Sequence, residues 1–143
     1  MTTHLGLAVE TADSWVPLTP ATETEVERLR APTLRDAAHH TARSDRQVYI
    51  DVDVFLSDSV GAAFCGLARV RPGWAPGRAD ESLVHAGTPA TLAGLLWDIG
   101  AARVADGVTL RSAAPGVAVE RILAEVLPLL ASRGIAVGVT AVA

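Results

Sequence analysis

The stretch Gln47-Val48-Tyr49-Ile50-Asp51-Val52-Asp53-Val54-Phe55-Leu56 is the part of the sequence that decides the fold. Aliphatic residues fill every second position. The positions between them include Asp51 and Asp53, with Tyr49 before them and Phe55 after them. Successive side chains of a β-strand point to opposite faces, so this period of two predicts a strand with one wholly aliphatic face. We expect that face to pack against helices and the acid-bearing face to point into the concavity of a sheet.

Strand signals alternate with helix signals around this stretch. Short apolar runs predict strands at 5–9, 83–86 and 108–111, and helices are expected at 22–30, 33–43, 59–70, 88–99 and 119–133, with residues 11–20 as a loop. Such alternation is typical of an α/β protein with a parallel sheet. The sequence therefore predicts a partial (β/α) barrel or an open, mostly parallel sheet flanked by helices. The prediction is one domain, 1–143, made of an N-terminal strand and helices (1–45), barrel-like units (46–135) and a β-like tail (136–143).

Composition excludes several classes of function. Half of the residues are hydrophobic, a fifth are charged and the net charge is −4, which is ordinary for a soluble globular protein. The arginines are scattered, so no nucleic-acid partner is expected, and no apolar run is long enough to predict a membrane span. There is no lysine, which excludes a Schiff-base lysine and a phosphate-loop lysine. A single cysteine, Cys65, and no recognisable signal peptide predict a cytoplasmic protein.

Three later segments carry a resemblance to a known family. They are Gly87-Thr88-Pro89-Ala90-Thr91-Leu92-Ala93, Asp106-Gly107-Val108-Thr109-Leu110-Arg111 and Val126-Leu127-Pro128-Leu129-Leu130-Ala131-Ser132-Arg133-Gly134. In this order and spacing they resemble the closing units of the bacterial luciferase-like flavin monooxygenases. Pro128 is informative because a proline inside a helix costs about 3 kcal/mol, and that family commonly has one there.

The resemblance implies a flavin-dependent monooxygenase, an oxidoreductase with FMN as its cofactor. A complete (β/α)₈ barrel needs about 250 residues, and this chain has 143. The missing part is the middle, which in the family holds most flavin contacts. We therefore expect a shortened relative with reduced or lost catalysis and weak or absent FMN binding by the isolated chain. The alternative is a non-catalytic binding or accessory protein that uses a half-barrel scaffold, with a full-length monooxygenase as a candidate partner. Whether the chain is an enzyme stays open.

Three residues are candidates for a functional site, and such barrels carry their chemistry at the C-terminal ends of the strands. Arg111 ends its strand and is predicted to hold the phosphate or carboxylate of a cofactor as a bidentate donor, or else to form a structural salt bridge. Asp51 and Asp53 are candidate pocket acids for acid–base work or for binding a metal, or else hydrogen-bonded or solvated carboxylates. No metal site is expected, because His39 and His40 are adjacent and diverge on a helix.

Further expectations concern packing and assembly. Cys65 is expected to be a buried small hydrophobe, and the loop 71–82 with Trp74 is either a lid or a connection. An open sheet leaves two edges without partners, so the chain is expected to form a homodimer, with the tail as a candidate added strand.

Overall fold

The fold is described from a computed structural model that covers residues 3–11, 14–19, 26–77, 81–114 and 119–136. The strands in chain order are β1 (Thr3–His4), β2 (Gly6–Glu10), β3 (Trp15–Pro17), β4 (Val26–Leu29), β5 (Gln47–Leu56), β6 (Leu83–Gly87), β7 (Gly107–Ser112) and β8 (Ile135–Ala136). The helices are α1 (Leu34–Arg43), α2 (Val60–Val70), α3 (Pro89–Ala101) and α4 (Val119–Ser132).

The sheet is a curled half-barrel of mostly parallel strands with the order β3-β2-β7-β5-β4, flanked by the four helices. Strand β5 is the most extensively paired strand of the sheet. It pairs with β7 along one edge, and along the other edge its first half pairs with β4 and its second half with β6. Among the described strands, only β3 runs antiparallel to its neighbour, β2. The short β1 and β8 pair with each other in parallel, in a separate two-stranded sheet. Within the described ranges the sheet does not close, so the predicted α/β partial barrel is confirmed in its open form.

The two faces of β5 have different surroundings. On the aliphatic face, from Val48 to Val54, the side chains are at most 1% exposed and belong to one core with buried residues of α1, α3 and α4. Buried Ala63 and Leu67 of α2 are not members of that core. A Cβ atom at Gly66 of α2 would meet the ring of Phe55, so α2 lies on the other face. The predicted packing of the aliphatic face against helices is confirmed.

Local signals at the helix ends act as the sequence predicts. The side chain of Thr33 accepts from the Asp36 amide at the start of α1. Thr88 and Thr91 form a reciprocal capping box at the start of α3, with proline at its first position. Helix α4 contains Pro128 and is followed by Gly134, whose φ of 79° favours glycine.

Three expectations about single segments are wrong. Residues 26–29 of the expected helix 22–30 form strand β4, because pairing of Val26–Leu29 with Gln47–Ile50 overrides a charged, helix-like composition. The expected loop 11–20 contains β3, which hydrogen-bonds to β2. Cys65 is exposed, since it lies on the side of α2 away from the sheet.

The tail enters the fold of its own chain. Ile135–Ala136 pairs in parallel with Thr3–His4, and the rest of the expected β-like tail lies outside the described residues. Across the ranges given above, no helix has the length and apolar character that crossing a membrane requires.

Candidate functional site

Aromatic rings lie over the N-terminal part of the acid-bearing face of β5. Tyr49, 3% exposed, pairs with Gly107 of β7, which pairs in turn with Gly6 of β2. A Cβ atom at Gly107 would lie 2.5 Å from the Tyr49 ring, so glycine is required where the ring crosses this strand. Trp15 meets the same ring edge-on, with 5.9 Å between centroids, and its indole N–H donates to Thr109 Oγ1 at 2.9 Å. The rings close this end of the face, and the charged groups follow further along the strands.

Asp51 is a buried carboxylate surrounded by arginines. Its side chain is 3% exposed and accepts from Arg28 Nη2 at 3.0 and 3.2 Å and from Arg30 Nε at 3.2 Å. Both oxygens therefore accept hydrogen bonds from guanidinium groups. A carboxylate held in this way is poorly suited to act as a general base.

Asp53, two residues further along, accepts hydrogen bonds from described residues on one oxygen only. Oδ2 accepts from Arg71 Nη2 at 2.9 Å and from Ser82 Oγ at 3.4 Å. The Asp53 side chain is only 7% exposed, and its Oδ1 is buried without a hydrogen-bond partner among the described residues. An unsatisfied buried acceptor costs about 1–3 kcal/mol, so this oxygen is the unusual atom of the face.

Arg111 lies between three carboxylates without a hydrogen bond to any of them. Its Nε is 3.4 Å from Glu10 Oε1, and its Nη1 is 3.8 Å from Asp51 Oδ2 and 3.6 Å from Asp53 Oδ1. Among the described residues, nothing hydrogen-bonds to its guanidinium. The side chain is 25% exposed. Arg111 is thus held by charge, while its five N–H donors keep their capacity for a ligand.

The charged groups form one arginine–carboxylate network. Its members are Glu10, Asp51 and Asp53 on one side and Arg28, Arg30, Arg71 and Arg111 on the other. Burial opposes the charge on Arg28, but hydrogen bonds to Glu10 and Asp51 outweigh it and raise the pKa of Arg28. Among the described residues, these ion pairs join three carboxylates to four guanidinium groups.

The structure brings the three sequence-predicted site residues together. Asp53 lies opposite Arg111 where β5 pairs with β7, and Asp51 is the preceding residue on the same face of β5. The sequence analysis missed five members of the site: Glu10, Arg28, Arg30, Arg71 and Ser82. The alternation Val26-Glu27-Arg28-Leu29-Arg30 was the available signal for two of them, because it places both arginines on one strand face.

Other titratable groups lie away from the network. His40 of α1 pairs with Glu27 of β4, and this hydrogen bond lowers the pKa of Glu27. Burial lowers the pKa of His85, whose ring hydrogen-bonds to Thr91 Oγ1 at 2.9 Å. In the part of the chain that the structure describes, no three His, Cys, Asp or Glu side chains are grouped as metal ligands.

The loop after α2 makes an aromatic contact in addition to the hydrogen bonds of Arg71 and Ser82 to Asp53. Trp74 packs against Phe64, with 5.6 Å between ring centroids. Residues 78–80 of the expected lid or connection lie outside the described residues.

The fold and site define an α/β half-barrel domain with an arginine–carboxylate network on its polar face. Comparison with protein-family models and with curated proteins finds no match for the chain. The luciferase-like resemblance therefore stays a prediction.

Proposed function

We propose that this chain is a binding domain for a small anion, a carboxylate or a phosphate, with Arg111 as the principal ligand residue and Arg30 as its neighbour. The observation that carries the proposal is the position of Arg111, a charged donor fork that no described group hydrogen-bonds. Arginine binds carboxylates and phosphates through two parallel N–H donors, and the Arg111 side chain is 25% exposed, so an anion can reach these donors.

The same geometry argues against an acid–base enzyme that uses Asp51 and Asp53. Asp51 is hydrogen-bonded on both oxygens, and the partnered oxygen of Asp53 is bound by Arg71. General acid–base catalysis needs a group that gains and loses a proton near the operating pH. Both aspartates instead accept hydrogen bonds from arginines, so part of their role is to position the arginines.

The proposal is tested by titrating ¹⁵N-labelled protein with sodium phosphate and sodium acetate at constant ionic strength, with chloride as the reference anion. We expect saturable shifts of the Arg111 Nε–H and Trp15 indole signals, with a dissociation constant of about 1 mM or lower. Arg111→Gln should abolish saturation, because the donor fork is lost. Arg121→Gln, on the exposed side of α4, is the matched control and should bind as the parent does. Linear shifts equal to those from chloride would exclude the proposal.

A flavin-dependent oxidoreductase is the second candidate function. It is favoured by the half-barrel, with Arg111 near the C-terminal end of β7, where such folds bind phosphate groups. FMN carries both a phosphate and a planar ring system, so it is the natural probe. We expect the isolated chain to bind FMN with a dissociation constant above about 1 μM, some −8 kcal/mol. Tighter binding, measured by flavin fluorescence, would support the oxidoreductase instead.

We further propose that the chain acts as a homodimer, or with a full-length monooxygenase as partner, in the cytoplasm. The outer edges of β3 and β6 pair with no other described strand, and unpaired edges favour association. Light scattering after size exclusion tests the dimer: a mass near 14.8 kDa at tens of micromolar protein would rule it out.

A further inference from the structure

The site pairs an unused donor with an unused acceptor. Among the described residues, the guanidinium of Arg111 makes no hydrogen bond, and Asp53 Oδ1 is a buried acceptor without a hydrogen-bond donor. The two atoms concerned, Arg111 Nη1 and Asp53 Oδ1, are 3.6 Å apart. A ligand with an anionic group and a hydrogen-bond donor on the next atom matches both requirements at once.

From this juxtaposition we infer that the site selects α-substituted carboxylates, that is, α-hydroxy or α-amino acids, over simple carboxylates. The inference rests on the proposed anion-binding function. The ligand carboxylate takes the donor fork of Arg111, and its α-hydroxyl or α-ammonium group donates to Asp53 Oδ1.

The surroundings explain why Asp53, and not Asp51, accepts the hydrogen bond from the α-substituent. Both oxygens of Asp51 already accept from Arg28 or Arg30, whereas Arg71 and Ser82 leave one oxygen of Asp53 without a donor. The side chain of Arg111 covers that oxygen and is itself partly exposed. When the Arg111 guanidinium moves toward a bound carboxylate, Asp53 Oδ1 is uncovered. A ligand without a donor leaves this buried acceptor unpaired and therefore binds more weakly.

Matched ligand pairs test the inference. Glycolate and acetate differ by one hydroxyl group, and glycine replaces that hydroxyl with an ammonium group. By NMR titration of the full chain, we expect glycolate or glycine to bind at least tenfold more tightly than acetate. Preference for glycine identifies an amino acid as the ligand class, and preference for glycolate identifies a hydroxy acid.

The variant Asp53→Asn separates selectivity from binding. Its side chain keeps the shape but loses the charged acceptor, so the ratio between glycolate and acetate should fall toward one while acetate still binds. Equal affinities of the parent for glycolate, glycine and acetate would overturn the inference and leave anion binding intact. Absence of binding by all three would instead overturn the proposed function. The parent comparison decides the matter if Asp53→Asn does not fold.

Discussion

The aliphatic and acid-bearing faces of β5 come from alternate residues of one strand, yet they are buried by different means. Whole helices cover the aliphatic face, where Ile50 and Val52 are 0% exposed. On the other face, Asp51 is almost as deeply buried, but under arginine side chains that are 25–49% exposed themselves. Burial by helices depends on packing, whereas burial by long charged side chains depends on ion pairs and on the solvent. Equally buried residues on the two faces should therefore differ in how mutation and salt change the stability of the protein.

The largest effect is expected on the aliphatic side. Leu110, 0% exposed, faces the helices, while the next residue on the same strand is Arg111. Leu110→Ala should lower the free energy of unfolding by about 2–5 kcal/mol, because it removes core contacts and leaves a cavity. Val70→Ala, at a position 43% exposed, is the control and should cost less than about 0.5 kcal/mol. Similar losses in urea unfolding for both variants would mean that the core is misassigned.

A second prediction tests the close contact on the acid-bearing face. Gly107→Ala should cost about 1–3 kcal/mol, since the new methyl group would lie 2.5 Å from the Tyr49 ring. Gly61→Ala on α2, where nothing lies within 4 Å, should instead stabilise the protein by up to about 1 kcal/mol. Thermal unfolding of both variants checks the contrast. A neutral Gly107→Ala would show that the ring does not lie on this strand.

A third prediction separates the two faces by salt. Asp51→Asn should cost about 1–2 kcal/mol, because hydrogen bonds to Arg28 and Arg30 lose their charge. Since those arginines are partly exposed, about 1 M NaCl should shrink this loss. The loss caused by Leu110→Ala should not shrink. Denaturant unfolding at low and high salt measures both, and equal salt responses would remove the distinction drawn between the faces.

The smallest expected effect concerns an ion pair at the edge of the aliphatic side. Glu27 pairs in register with Val48 and is bound by His40, which lowers its pKa below the ordinary 4.5. A depressed pKa means that this contribution is present above pH 4.5 and is lost as the pH falls through the lower folded value. Glu27→Gln should therefore reduce the slope of stability with pH in the acid range and change little near neutrality. An unchanged acid slope in unfolding measurements would contradict the pairing.

Local patterns explain which parts of the fold and site could be predicted. The period of two in β5 and the caps at Thr33 and Thr88 are short-range signals, and they predicted the strand and the helix starts. Asp51, Asp53 and Arg111 were also found, because strand periodicity places the two aspartates on one face of β5 and Arg111 was expected at the C-terminal end of its strand.

The missed residues depend on pairings that are distant in sequence. Glu10 meets Arg111 only because β2 lies next to β7, and Arg28 reaches Asp51 only because residues 26–29 form a strand. No pattern within a short window contains that neighbour order, and the charged composition of this segment favoured a helix. Burial of Asp51 under arginines likewise follows from the assembled sheet.

The pairing of β2 with β7 has a consequence for how the chain folds. Gly6 lies beside Gly107, so the middle of the sheet joins the early part of the chain to a late one. Closing so long a loop is slow, and folding rates fall as contacts become less local. Arrested chains that end before residue 107 should be sensitive to protease, and chains that include α4 should be protected. During synthesis, β2 and β5 lack their shared neighbour until β7 leaves the ribosome and is inserted between them.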